Sequence, residues 1–140
     1  MEELFVYALL LYEEIVSEDE YSKRLDELFL EYPGNVDLLF LEWETNKNRA
    51  ITYIRTHIDC NRLDYNLFGK ILMEKIKAYY NNTDLKSFAA KMYCLWKNLP
   101  ESIQRREPFF MLCYADDPLS WGDEEQSRNI YESMMNYYEL

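Results

Sequence analysis

The chain has 140 residues, 49% of them hydrophobic and 16% aromatic, including 13 tyrosines, 7 phenylalanines and 3 tryptophans. That apolar content excludes intrinsic disorder, and only three glycines and four prolines exclude a turn-rich β-sandwich or barrel. Twenty-six acidic against fifteen basic side chains leave a net charge of −11, the wrong sign for a phosphate backbone.

The apolar spacing is helical from the start. Leu4, Ala8, Leu11 and Ile15 make one stripe, and Phe5, Leu9, Tyr12 and Val16 make another. A helix apolar on most sides belongs in the middle of a core. Its longest uninterrupted apolar run, Leu4 to Tyr12, falls far short of the ~20 residues that span a bilayer. Glu2 and Glu3 precede that run where a signal peptide would be basic, so a soluble protein that stays in the cytoplasm is expected. Ser17 and Glu20 form an S-x-x-E capping box that opens a second helix, with a stripe of Tyr21, Leu25, Leu28, Phe29 and Tyr32. Pro33 and Gly34 stop it.

Asn35 caps a third helix that carries Val36, Leu39, Phe40 and Trp43 on one side. A break near Asn46 and Asn48 leads into a short fourth helix with Ala50, Ile51, Ile54 and Ile58. Asp64 caps a fifth, with Phe68, Leu72, Ile76 and Tyr79. A turn over Asn81, Asn82 and Thr83 precedes a sixth, lined by Leu85, Phe88, Ala89, Met92 and Trp96. The stretch from Pro100 to Pro118 reads as short helical turns burying Phe109, Phe110, Leu112 and Cys113. Ser120 followed by Asp123 reads as an N-cap that opens the last helix, with Asp123, Glu124 and Glu125 in its first turn and Ile130, Met134 and Tyr137 facing inward. The expected fold is all-α: one domain over residues 1–140, with seven or eight helices packed as α-hairpins.

Shifting the chain by 67 residues lays Phe5 on Leu72, Tyr12 on Tyr79, Tyr21 on Phe88 and Pro33 on Pro100. That shift is about two tetratricopeptide lengths of 34 residues. The segment from Phe5 to Pro33, with Tyr12 and Pro33 at the characteristic spacing, resembles a hairpin of the tetratricopeptide class. Leu9, Tyr21 and Leu28 stand where that pattern has small residues. The resemblance implies a short helical array with a concave protein-binding surface.

Charge is unevenly spread along the chain. Residues 1–45 hold 13 acidic and 2 basic side chains, residues 46–115 hold 6 and 12, and residues 116–140 hold 7 and 1. Either the acidic ends pair with the basic middle, or they are solvated helix faces, or they draw in a basic partner.

Chemistry-bearing motifs are sparse. Cys60, Cys94 and Cys113 are an odd set without a C-x-x-C pair, which points to reduced, buried thiols and not to a disulfide framework. His57 and Cys60 make an H-x-x-C pair, two ligands where structural zinc wants four, so no metal or cofactor is expected. A half-buried histidine favoured at a helix C-terminus is the better role for His57. No G-x-S-x-G elbow or glycine-rich phosphate loop occurs, and an enzyme is not expected. Arg105 and Arg106, with Lys97 nearby, are the densest basic spot, read as complementing helix C-termini.

The most informative stretch is Asp116 to Glu125, where Asp116, Asp117, Asp123, Glu124 and Glu125 surround Trp121. An aromatic anchor ringed by carboxylates suits an interface with a cationic protein, although Trp121 packed inward behind a helix cap would use the same residues. Glu18, Asp19 and Glu20 form a second acidic candidate.

In size, charge, helicity and lack of catalytic groups the chain resembles the small acidic all-α immunity proteins of bacterial contact-dependent toxin systems. That resemblance implies an inhibitor whose carboxylates cover the basic cleft of a nuclease-type toxin. The alternatives are an α-hairpin adaptor that binds a peptide, or a nucleic-acid mimic. Tyr137 and Tyr138 could serve a homodimer.

Overall fold

The computed structural model describes residues 1–139 and is all-α, with no strand among them. Nine α-helices follow in order: α1 (Glu2–Tyr12), α2 (Glu18–Glu31), α3 (Val36–Trp43), α4 (Lys47–His57), α5 (Tyr65–Tyr80), α6 (Leu85–Lys97), α7 (Glu101–Gln104), α8 (Asp117–Ser120) and α9 (Glu124–Met135). Two 3-10 turns, Cys60–Arg62 and Phe109–Cys113, complete the set. The chain divides into two compact units, one formed by Glu3–Asp59 and one from Cys60 onward. No helix is long and apolar enough to cross a membrane.

Side-chain caps fix where most helices begin. Ser17, Asn35, Asn46, Asp64, Asp84 and Asp123 each accept a backbone N–H from the first turn of the helix that follows. Each such cap contributes about 1 kcal/mol by satisfying an N–H that has no partner inside the helix. The caps of α2 and α6, Ser17 and Asp84, stand at the same 67-residue offset as the sequence echo.

In the first unit α1 is buried from Leu4 through Leu11. Tyr12, expected in its apolar stripe, is exposed because α1 ends there, and Glu14 takes a left-handed backbone with φ 59°. α2 buries Tyr21 and Leu25 and packs against α3, which buries Leu38 and Leu41. α4 adds Ala50, Ile51 and Ile54. Arg24 on α2 grips the Glu3 carboxylate with two of its guanidinium nitrogens and reaches Glu27 at 2.9 Å.

In the second unit α5, α6 and α9 bury Phe68, Leu72, Ile76, Phe88, Met92, Tyr131 and Met134. The Phe88 ring meets the edges or faces of Tyr80 and Tyr131, both at 4.9 Å. Three expectations are corrected here. Phe110 is exposed, because a 3-10 turn repeats every three residues and sends Phe109 and Leu112 inward together. On α9 Tyr131 and Met135 are buried in place of Ile130 and Tyr137, and Tyr137 lies beyond the helix end, exposed. Cys94 is an exposed thiol and Cys113 a half-buried one, whereas the Cys60 side chain lies outside the described residues.

Two small-residue contacts organise this unit. Ser127 is fully buried, and its Oγ accepts the Leu119 backbone N–H at 2.9 Å. The Tyr138 ring lies directly over Gly69 on α5, where a Cβ would sit 1.9 Å from the phenolic oxygen. Burial pushes that phenol up to about 12.

Replacing Ser127 by alanine leaves the Leu119 N–H without its partner and destabilises the unit by about 1–2 kcal/mol, measurable by urea unfolding. Gly69→Ala displaces the Tyr138 ring toward solvent. Its phenol then titrates nearer the ordinary value of about 10, a change read directly by NMR titration of the ring resonances.

Candidate functional site

α3 is short and apolar on two opposite sides. At about 100° per residue, Leu38 and Leu41 fall about 60° apart, and Val36, Leu39, Phe40 and Trp43 share an arc centred opposite them. The structure buries Leu38 and Leu41. The stripe expected from the sequence is therefore a real face, and it points outward: Trp43 is 82% exposed, Val36 75%, and Leu39 and Phe40 are exposed with them. Leu30, 79% exposed near the end of α2, adjoins it, and a shallow cleft is lined by Asp26, Phe29, Leu30, Glu42 and Trp43. Contiguous exposed apolar side chains of this size, rimmed by polar groups, mark interaction surfaces.

On the neighbouring side of α3 a ladder of rings continues onto α4. Phe40 stacks on Tyr53 at 4.1 Å, and Tyr53 stacks on His57 at 3.8 Å. The Tyr53 hydroxyl donates to Asp37 at 2.6 Å, and that bond, with partial burial, raises the phenol above its ordinary range. His57, expected to be half-buried, is exposed and held at the end of α4, its Nδ1 2.9 Å from the Tyr53 carbonyl. Phe40, Tyr53 and His57, with Arg49, Thr52 and Thr56, border an open groove of about 450 Å³.

Behind the apolar face the carboxylates are close together. Glu42, half-buried on α3, meets Asp26 of α2, and its own burial followed by that neighbour raises its carboxyl above the ordinary carboxylate value. Its Oε1 is enclosed and has no hydrogen-bond partner.

The acidic residues expected from the sequence are placed in two separate units. Glu18, Asp19 and Glu20 form the exposed first turn of α2, where Ser17 caps the Glu20 N–H at 3.1 Å. In the second unit the segment from Asp116 to Glu125 runs through α8 and a tight turn at Trp121, Gly122 and Asp123 into α9. Backbone bonds from Trp121 and Asp123 to the Pro118 carbonyl close it, and Gly122 supplies a φ of 89° that other residues rarely adopt. Pro118 and Ser127 take the inner positions, and Trp121 is left outside, 67% exposed, among exposed Asp117, Asp123, Glu124 and Glu125. Asp116 is half-buried, and burial, then the charge of Asp117, raises its carboxyl. Asp123 is the α9 cap, and Glu124 pairs with Arg128 at 3.0 Å along the helix.

The basic middle is engaged within its own unit at several points. Arg105 pairs with Glu101 at 2.6 Å, the Arg106 guanidinium lies 3.9 Å over the Tyr65 ring, and Lys97 sits over Tyr93. Lys77 reaches Glu139 at 3.3 Å, an exposed contact of about 0.2–1 kcal/mol that does little to neutralise the C-terminal charge.

Glu42 gives a pH signature. Its folded-state carboxyl binds its proton more tightly than the unfolded one does, so ionising it costs stability above the folded titration point. That cost vanishes as the pH falls to the unfolded value of 4.5. Glu42→Gln therefore stabilises the protein at pH 7 and leaves it unchanged near pH 4, as thermal unfolding at the two pH values will show.

Comparison with protein-family models, curated proteins and solved structures finds no match to this chain.

Proposed function

We propose that the chain is a non-enzymatic, acidic protein-binding module that docks a basic protein partner on the α2–α3 face. We further propose that it acts in the manner of an immunity protein, covering the basic cleft of a nuclease-type toxin. The observation that carries the reading is Trp43, 82% exposed amid Leu30, Val36, Leu39 and Phe40 and beside the carboxylates of Asp26, Glu42 and Glu44. Burying such a face against a partner removes apolar surface from water, and tryptophan is among the residues most often dominant at interfaces. The carboxylates select a partner of opposite charge and speed its approach.

Charge decides the class of partner. Residues 1–45 carry 13 acidic and 2 basic side chains, and Lys23 and Arg24 are those two bases. An acidic partner would meet repulsion from Asp26 and Glu42 beside Trp43. A basic, phosphate-seeking cleft is complementary to those carboxylates, which supports the inhibitor reading over an indifferent adaptor. Trp121 with its carboxylates offers the same pairing of anchor and charge in the second unit. In a reducing cytoplasm the exposed Cys94 thiol is stable, which fits that location for the protein.

The test uses a cationic amphipathic peptide of leucine and lysine, with a leucine and glutamate peptide of the same pattern as control. The Trp43 indole N–H and the α3 amides, followed by NMR, shift with the cationic peptide alone, and affinity falls at least tenfold between low and high salt. Trp43→Ala weakens binding by about tenfold or more. Equal binding of both peptides, salt-independent binding, or self-association through Trp43 seen by sedimentation each overturns the reading.

A further inference from the structure

Between α2 and the start of α4, on the core side of the α2–α3 face, lies a cleft of about 280 Å³. Its charged lining is Glu18, Asp26, Glu42 and Glu44 against a single lysine, Lys47. Leu25, Leu41 and Ala50, all buried, form an apolar floor. Tyr21 is only 7% exposed, yet its hydroxyl has no hydrogen-bond partner, and neither does the enclosed Oε1 of Glu42 in the same wall. The two groups sense each other, since the Glu42 charge, after burial, helps push the Tyr21 phenol up to about 12.

Buried polar atoms are almost always paired, because leaving one unpaired costs about 1–3 kcal/mol. A buried hydroxyl without a partner, beside a Glu42 carboxyl whose one hydrogen bond goes to Asp26 and whose Oε1 is left over, describes a missing donor. The donor must carry several N–H groups to serve a phenol oxygen and carboxylates together. It must carry positive charge to suit four acids, and an aliphatic stem to lie along Leu25, Leu41 and Ala50. Guanidinium on a propyl chain has all three properties, and its planar fork is matched to carboxylate oxygens better than a point-like ammonium. The volume is below the range typical of small-molecule pockets and suits one side chain.

We propose that this cleft is the receptor for a single arginine side chain of the protein partner, its guanidinium held by Glu42, Asp26 and the Tyr21 hydroxyl. The proposal rests on the docking reading above and names what that partner inserts beside the apolar face. An arginine so held is desolvated and bound by charge-assisted hydrogen bonds, the kind that dominate affinity at interfaces.

The probe is N-acetyl-arginine amide, titrated into the isotopically labelled full chain, with the citrulline analogue as uncharged control and n-butylamine as a free amine. The arginine probe gives saturable shifts at Tyr21, Leu41 and Glu42, the citrulline probe gives none, and Glu42→Gln weakens binding about tenfold. Tyr21→Phe weakens it less, about threefold, while Trp43→Ala leaves it unchanged. Absence of saturable shifts in the cleft, equal response to citrulline, or undiminished binding to Glu42→Gln overturns the proposal. So does butylamine binding more than tenfold tighter than the peptide-like probe, which marks a site for a small amine. The outcomes separate the two readings: a silent cleft with the amphipathic peptide still on Trp43 sinks the arginine receptor alone. A responsive cleft with no peptide binding sinks the docking face alone.

Discussion

α3 carries hydrophobic side chains on opposite sides, and an eight-residue helix at the edge of a unit can bury only one of them. Leu38 and Leu41 take the inside, flanked by Asp37 and by half-buried Glu42. Packing them against α2 sets everything else in the first unit. It holds Asp37 where Tyr53 can donate to it, brings Glu42 against Asp26, and turns Phe40 and Trp43 to the outside. A helix with one apolar stripe would hide it and leave an inert surface.

The positions of the helices were largely readable in the sequence. Ser17, Asn35 and Asp64 cap the helices expected of them because a cap is a local interaction between a side chain and N–H groups two or three residues on, whereas the last helix is capped by Asp123 and not by Ser120, which ends α8. Orientation was harder to read. Periodicity says that Val36, Leu39, Phe40 and Trp43 lie together, but a helix apolar on both sides does not say which side is inside. Phe110 and Tyr137 were misplaced for a related reason, since both lie where α-helical spacing no longer applies, one in a 3-10 turn and one past a helix end. Trp121 is turned out by Gly122 and by a buried serine eight residues past Leu119, a combination with no sequence signature. The junction after Asp59 is equally silent, because Ile58 to Asn61 contain no proline, glycine or serine. The orphaned oxygens of Tyr21 and Glu42 come from residues 21 positions apart and exist only once α2 meets α3.

The acidic excess serves more than one purpose. Asp64, Asp84 and Asp123 are spent on helix starts, where the dipole favours them. Glu3, Glu27, Glu101, Glu124 and Glu139 hold cations of the same chain. Asp26 and Glu42 beside Trp43, and Asp117 and Glu125 near Trp121, differ from these in standing next to large exposed rings. Charge beside apolar surface is the arrangement that gives both speed and persistence to an encounter, because Coulomb attraction acts at a distance and desolvation acts on contact.

The buried run from Leu4 to Leu11 also bears on how the protein is made. The other helices of its unit, α2 to α4, are translated after it. Eight consecutive side chains destined for the interior thus wait in water while synthesis proceeds, a natural client for chaperones that clasp greasy nascent chains.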